Sequence, residues 1–320
     1  MPSGVFPKVA GELIFAADYN TVQSIVDSVM GIGTSDSGYG QAIISTPISP
    51  GSTAQVIQWL RLRTDLLLAR QHQTGNDESA NLDVASSSNQ ITATVANQYY
   101  NFATVVQANR LTLAASGNSS TETLINQTRT TSWNGTINHT VTVSFPGYIT
   151  GLTVPAADHA RAFFNAGGQI LISASRTGGT GGSSKNIAWT TMLGDGTTTP
   201  SGFGTVSLNY TQTSTVAGTA ANAGTTYNIG WFDLTTSDQT VFTKPGPSGN
   251  YAENDYEIFA RRNAASTELI LTIQFRDDDA GDPNVDENVD GNLNSLIRII
   301  RPSGSNVSVP TPTATATGLL

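Results

Sequence analysis

Near residue 115 the spacing of apolar side chains changes from the 3.6-residue period of a helix to the two-residue period of a strand, so no single repeating architecture accommodates the whole chain. Before the switch, Tyr19, Val22, Ile25, Val26, Val29 and Met30 share one helical stripe that Gly31 and Gly33 stop. A second helix is predicted after Pro50-Gly51, with Ser52 or Thr53 as N-cap, running through Trp59, Leu62 and Leu66 to Gly75. A third starts at Thr92 or Thr94 and carries Tyr99, Phe102 and Val106 to about Leu111. Three amphipathic helices are expected to form a small bundle over residues 1–115. Each sets an aromatic early, beside Asn or Gln: Asp18-Tyr19-Asn20, Gln58-Trp59 and Asn97-Gln98-Tyr99. This reads either as an internal repeat of roughly forty residues or as the common look of amphipathic helices.

After the switch, His139, Val141, Val143 and Phe145 alternate with Thr140, Thr142 and Ser144, the pattern of a half-buried antiparallel strand. Asp158 to Asn165 is predicted to be a short helix closed by Gly167-Gly168, and Gln169 to Ser175 a strand. Further strands are expected at Thr123–Thr131, Gly204–Gln212, Tyr227–Leu234, Gln239–Thr243, Asp255–Arg262, Leu269–Arg276 and Asn294–Arg301, with no helix after Asn165. The fold class expected is therefore α+β: helices over 1–115, then an antiparallel, jelly-roll-like β-sandwich over 116–301. Its core should include Val141, Val143, Phe145, Phe163, Phe164 and Ile170. Residues 302–320, rich in Pro and Thr, should be an extended tail that another subunit orders.

Composition removes several functions. Charged residues are 12% of the 320, about half the usual share, and the formal net charge is −9. A nucleic-acid groove needs clustered Lys and Arg, so no nucleic-acid partner is expected. No apolar run approaches a membrane span of ~20 residues, and residues 1–15 lack the form of a signal peptide. There is no Cys, hence no disulfide or thiolate chemistry.

The acidic loop from Asp277 to Asp290 is the main chemical candidate. Asp286-x-Asn288-x-Asp290-Gly291 matches the opening of a calcium loop, but Ile297 stands where a bidentate Glu belongs, and a strand follows instead of a helix. Asp286, Asn288 and Asp290 are thus a candidate calcium site outside an EF-hand, set against a solvated turn whose side chains cap backbone groups. Paired carboxylates of the same loop would suit glycoside hydrolysis only if opposed across a cleft. His72, His139 and His159 are isolated, no GxSxG occurs, and Gly178–Gly182 lacks the Lys-Ser/Thr of a phosphate loop despite Ser184-Lys185 nearby, so it reads as a flexible turn. Trp133, Trp189, Trp231, Tyr148, Tyr210 and Tyr227 would stack on sugars if exposed together, and otherwise belong to the core or its rim.

Several strings carry a resemblance. HTVTVSF, DHARAFFNAGGQILISASRTGGT, TTSDQTVFTK with YEIFARRN, and VDENVDGNL, in that order, with AADYN and DSGYGQ toward the amino terminus, are similar to virion structural proteins of tailed phages, especially those infecting cyanobacteria. The resemblance implies a non-enzymatic tail, neck, baseplate or fibre-attachment component, made in the host cytoplasm and located in the virion. It would bind copies of itself and other virion proteins, with the helical region docking on the particle. A host-glycan-binding adhesin and a virion-borne glycan hydrolase are the alternative expectations.

Overall fold

The computed structural model describes residues 4–85, 91–149, 151–197, 202–216, 218, 222–278 and 288–320. It is of mixed helix and antiparallel sheet, and the chain divides into two compact units. One comprises residues 1–120, 147–168 and 301–310, and the other 121–146, 169–300 and 311–320.

The first unit is mainly helical. Helices α1 (Ala16–Met30), α2 (Val56–Thr74) and α3 (Ala93–Ala108) contact one another pairwise, and α4 (Ala115–Asn118) is a single turn. Thr92 caps α3 by accepting from Val95 N, and α2 stops at Gly75, which holds the left-handed conformation at φ +75°. The three early aromatics meet in one line: Tyr19 stands edge-on to Trp59 at 5.3 Å, and Trp59 edge-on to Tyr99 at 5.1 Å. Forty residues separate each from the next, so the sequence period corresponds to a physical contact.

A second recurring device surrounds this line. Asn20 of α1 exchanges two hydrogen bonds, each 2.8 Å, with the backbone of Ile48, ahead of α2. Arg63 of α2 donates to Leu82 O and Ser79 O, ahead of α3. Asn97 of α3 exchanges bonds of 2.7 and 2.8 Å with the backbone of Lys8, ahead of α1. Each helix thus fixes the segment leading into the next, in cyclic order.

Strands β3 (Tyr148–Ile149) and β4 (Thr153–Val154) and helix α5 (Ala156–Asn165) belong to this same unit, although they lie in sequence among the strands of the other. Phe163 and Phe164 of α5 are therefore core residues of the helical unit, correcting their expected place in a β core. His72 Nε2 lies 2.9 Å from Ala166 O, Tyr148 donates to Gly40 O, and Gln41 bonds the backbone of Ser308 in both senses.

The second unit is mainly β. Its strands are β1 (Ser119–Arg129), β2 (Gly135–Ser144), β5 (Gln169–Thr177), β6 (Thr205–Leu208), β7 (Thr213–Val216), β8 (Thr225–Thr226), β9 (Gln239–Pro245), β10 (Asp255–Arg262), β11 (Glu268–Asp277), β12 (Asn292–Pro302) and β13 (Thr313–Thr317), with helix α6 (Ser184–Leu193) among them. One sheet has the order β1-β12-β5-β6-β7 and the other β13-β2-β11-β10-β9-β8. Alternate residues of β2, β10, β11 and β12 are buried, as their period of two requires. His139 of β2 reaches Ser295 of β12 at 2.9 Å, a bond from one sheet to the other. Phe203 stacks on Tyr256 at 4.8 Å and contacts Phe242 at 5.0 Å.

Four expectations are corrected here. The predicted strand Gly204–Gln212 is interrupted because Asn209 Oδ1 accepts from the backbone N–H groups of Thr211 and Gln212 and turns the chain from β6 into β7. Within Tyr227–Leu234 the residues Trp231–Asp233 form a 3-10 turn, held by Trp231 N to Asn209 O and Phe232 N to Tyr210 O. Helix α6 occupies a stretch expected to hold no helix. The tail is ordered by its own chain: β13 pairs with β2 from Thr313↔Ser144 to Thr317↔Thr140, while Thr311 donates to Glu122 and Arg129 to Leu319 O.

Candidate functional site

An open cleft of about 430 Å³ in the β unit is bordered by the glycine-rich turn and by α6. The turn is far from featureless, because Asp290 holds it. The Asp290 carboxylate accepts from Thr180 N at 3.0 and 3.1 Å, from Thr180 Oγ1 at 2.6 Å, from Arg176 Nη2 at 3.3 Å and from Asn186 Nδ2. Asp290 N in turn donates to Asn186 Oδ1 at 3.1 Å. Bonds from the Thr180 hydroxyl and N–H, more than the nearby guanidinium, keep this carboxyl below the usual carboxylate range.

Two glycines make the approach sterically allowed. Gly179 sits at φ +83°, and a Cβ there would fall 2.4 Å from Asp290 Oδ1; Gly291 sits at φ +88°, with Thr177 O 2.5 Å from its would-be Cβ. Arg176 is 4% exposed and braces the floor by donating to Thr190 Oγ1, Asn186 O and Gly178 O. Burial lowers its pKa while Asp290 acts in the opposite sense. Helix α6 starts at this point because Ser183 accepts from Asn186 N. The remaining border is hydroxyl and amide apart from the exposed Asp195 carboxylate, with the exposed Ile187 as its apolar member.

Chemically, such a cleft is equipped to hold a small polar ligand by hydrogen bonds. Its Arg176–Asp290 floor is already an internal pair, the Asp195 carboxylate at its border accepts from Thr197 N, no histidine borders it, and its Ser183 hydroxyl serves as a helix cap. Lys185, which follows the glycine-rich turn closely enough to suggest a phosphate-loop lysine, points into the interior toward Asp277 instead.

The acidic loop is split by these arrangements. Asp286 lies outside the described residues, as do Asp279, Asp282 and Glu287. Asn288 is exposed, Val289 exchanges two backbone bonds with Trp133, and Asp290 clamps the turn. Asp277 is buried against Lys185, and Asp278 pairs with Arg276 at 2.7 Å. Among the described residues no group of three or more His, Asp or Glu side chains is placed to hold a metal ion. The histidines are buried apart from one another: His72 on Ala166 O, His139 on Ser295 Oγ and His159 on Pro310 O.

Of the aromatics singled out in the sequence, Trp133, Trp189, Trp231 and Tyr210 are buried; Trp133 and Trp189 meet edge-on at 4.8 Å. Tyr227 is exposed, and Tyr148 is tied to Gly40. Sequence reasoning missed α6 and the Lys185–Asp277 pair. The usable signal was Ser183 followed by Trp189 and Leu193 one helical turn apart.

No helix among the described residues is long and apolar enough to cross a membrane. No family model, curated protein or solved structure matches this chain.

Proposed function

We propose that the chain is a non-enzymatic structural component of a tailed-phage virion, acting by binding copies of itself and other virion proteins. The observation that carries this reading is a run of large apolar side chains left in water in the helical unit. Val5 is 74% exposed, Val9 64%, Leu13 72% and Phe15 59%, all within eleven residues. Apolar side chains clustered this way on a surface mark a contact with another molecule. The likeness in sequence to phage virion proteins supplies the class of partner, and the localisation follows from it.

The finer fold reading belongs with this proposal: a small three-helix bundle and a jelly-roll-like sandwich. Nested pairing supports it, since β1 is next to β12 in one sheet while β2 pairs with β11 in the other. The hydroxyl-lined cleft favours a second reading, a carbohydrate-binding adhesin, which saturable binding of soluble host polysaccharide would select.

The test is a triple variant, Val5→Asp, Val9→Asp and Leu13→Asp, in the full chain. All three side chains are solvent-exposed, so each change should move stability by no more than about 0.5 kcal/mol. The variant should stay folded by circular dichroism yet fail to enter particles assembled in infected cells. Wild-type incorporation would overturn the docking role.

A further inference from the structure

Lysine is among the residues almost never fully buried unless paired. Both side chains of the Lys185–Asp277 pair have 0% relative exposure, and Lys185 Nζ lies 3.0 Å from Asp277 Oδ2. Lys185 is the second residue of α6 and Asp277 the last of β11. Trp189 follows Lys185 by one helical turn, and Phe275 precedes Asp277 by two residues on the same face of its strand. Their rings lie 6.5 Å apart, and Trp133 packs on Trp189. The pair is thus shut off from solvent, with Trp189 and Phe275 as its neighbours along helix and strand. The side chain of Asn254, only 1% exposed, also bears on the Asp277 carboxyl.

Enclosing two opposite charges carries a desolvation penalty for each ion, which their attraction must offset. Burial is the largest influence on Asp277 and raises its carboxyl pKa, against the pull of Lys185 and Asn254. Moving the proton from ammonium to carboxylate inside this site removes both charges and leaves a neutral amine facing a carboxylic acid. These are the reactive forms for amide formation. Held in contact, such groups behave as if at effective concentrations up to about 10⁵–10⁸ M.

We propose that Lys185 and Asp277 condense into an intramolecular amide. The Nζ lone pair attacks Cγ of Asp277 and the N–C bond forms. The bond from Cγ to its hydroxyl oxygen breaks, and that hydroxyl leaves as water with the proton shed by nitrogen. Neither oxidant nor co-reactant enters. The product ties helix α6 to strand β11 across 92 residues of chain, a covalent brace in a protein that has no cysteine to make one. It holds irrespective of the virion reading.

Intact-mass spectrometry of the folded, then denatured, full chain tests it. The wild type should be lighter than its sequence mass by one water, about 18 Da, and K185R should restore the sequence mass. Because Asp195-Gly196 and Asp290-Gly291 can also lose water by cyclising, the link must be located. Tryptic peptides should include a branched species joining residue 185 to residue 277, without cleavage after Lys185. A wild-type chain at its sequence mass, cleaved normally after Lys185, would overturn the proposal. So would a loss of about 17 Da located between Lys185 and Asn254, which would be ammonia leaving the wrong acceptor. The wild-type measurement decides alone, so a K185R chain that failed to fold would leave the test standing.

Discussion

His139 and His72 are buried side chains whose neutral form the fold selects: burial pushes each down to about 4 from an ordinary 6.5. The sign of the resulting pH effect follows from proton counting. Well above pH 6.5 neither folded nor unfolded chain protonates these rings, and their contribution to stability is complete. As the pH falls, the unfolded chain takes up protons that the folded one refuses, so stability is lost down to and through about pH 4. Each ring accounts for about 3 kcal/mol over that span. Urea unfolding at pH 7 and pH 5 should therefore show a marked fall in stability, and H139Q should make the fall shallower; an unchanged slope would mean that His139 is protonated in the folded chain. Gly291 makes a second case. Its φ of +88° and the 2.5 Å approach to Thr177 O predict that G291A lowers the melting temperature, at a cost of about 1–3 kcal/mol for the backbone conformation alone. The motif Asp286-x-Asn288-x-Asp290-Gly291 pointed to this glycine through a calcium pattern, whereas its role in the structure is steric. At this scale identity was legible and partnership was not, since a carboxylate's donors come from Thr180 and Asn186, over a hundred residues away.

Elements with one buried face were readable from the chain. Helices α1 and α3 begin within a residue or two of their expected starts, and β10 runs from Asp255 to Arg262 as its alternation implied. Those buried in other ways were not. Helix α6 hides Lys185, Asn186, Ala188, Trp189, Met192 and Leu193, and so presents no clean apolar stripe against a polar one. Strand β13 is TATAT, with every residue exposed or half-buried, and its alternation of small and hydroxyl side chains gives no hydrophobic signal. Trp59 offers a test of the forty-residue period as a packing device. It is the shared member of the aromatic line, 1% exposed, and W59A should cost about 3–5 kcal/mol. Chemical denaturation would measure it; a cost under about 1 kcal/mol would show that the line is incidental to stability.

Across the whole molecule, the division of the chain departs from a simple order of helical half, β half and tail. The chain passes from one compact unit to the other near residues 120, 146, 168, 300 and 310. A fragment of residues 1–115 therefore lacks α5, whose Phe163 and Phe164 are fully buried in the same unit, and lacks the partners of His72 and Gln41. Expressed alone, it should melt without a sharp cooperative transition in calorimetry, and a sharp transition would refute this interdependence. No period in the sequence could announce this arrangement, because long-range return of the chain leaves no local pattern.

Strand β2 has both of its neighbours late in the sequence, β11 on one side and β13 on the other. During synthesis it waits for partners made roughly 125 to 170 residues after it, which at ~5–20 residues per second is on the order of ten to thirty seconds. Until β11 emerges HTVTVS is an unpaired ribbon, rich in β-branched residues, with both edges open to mispairing with another ribosome's product, and one edge stays open until β13 follows. Its threonines, facing away from the valines, keep one side of that ribbon wettable until translation delivers the strands that close it.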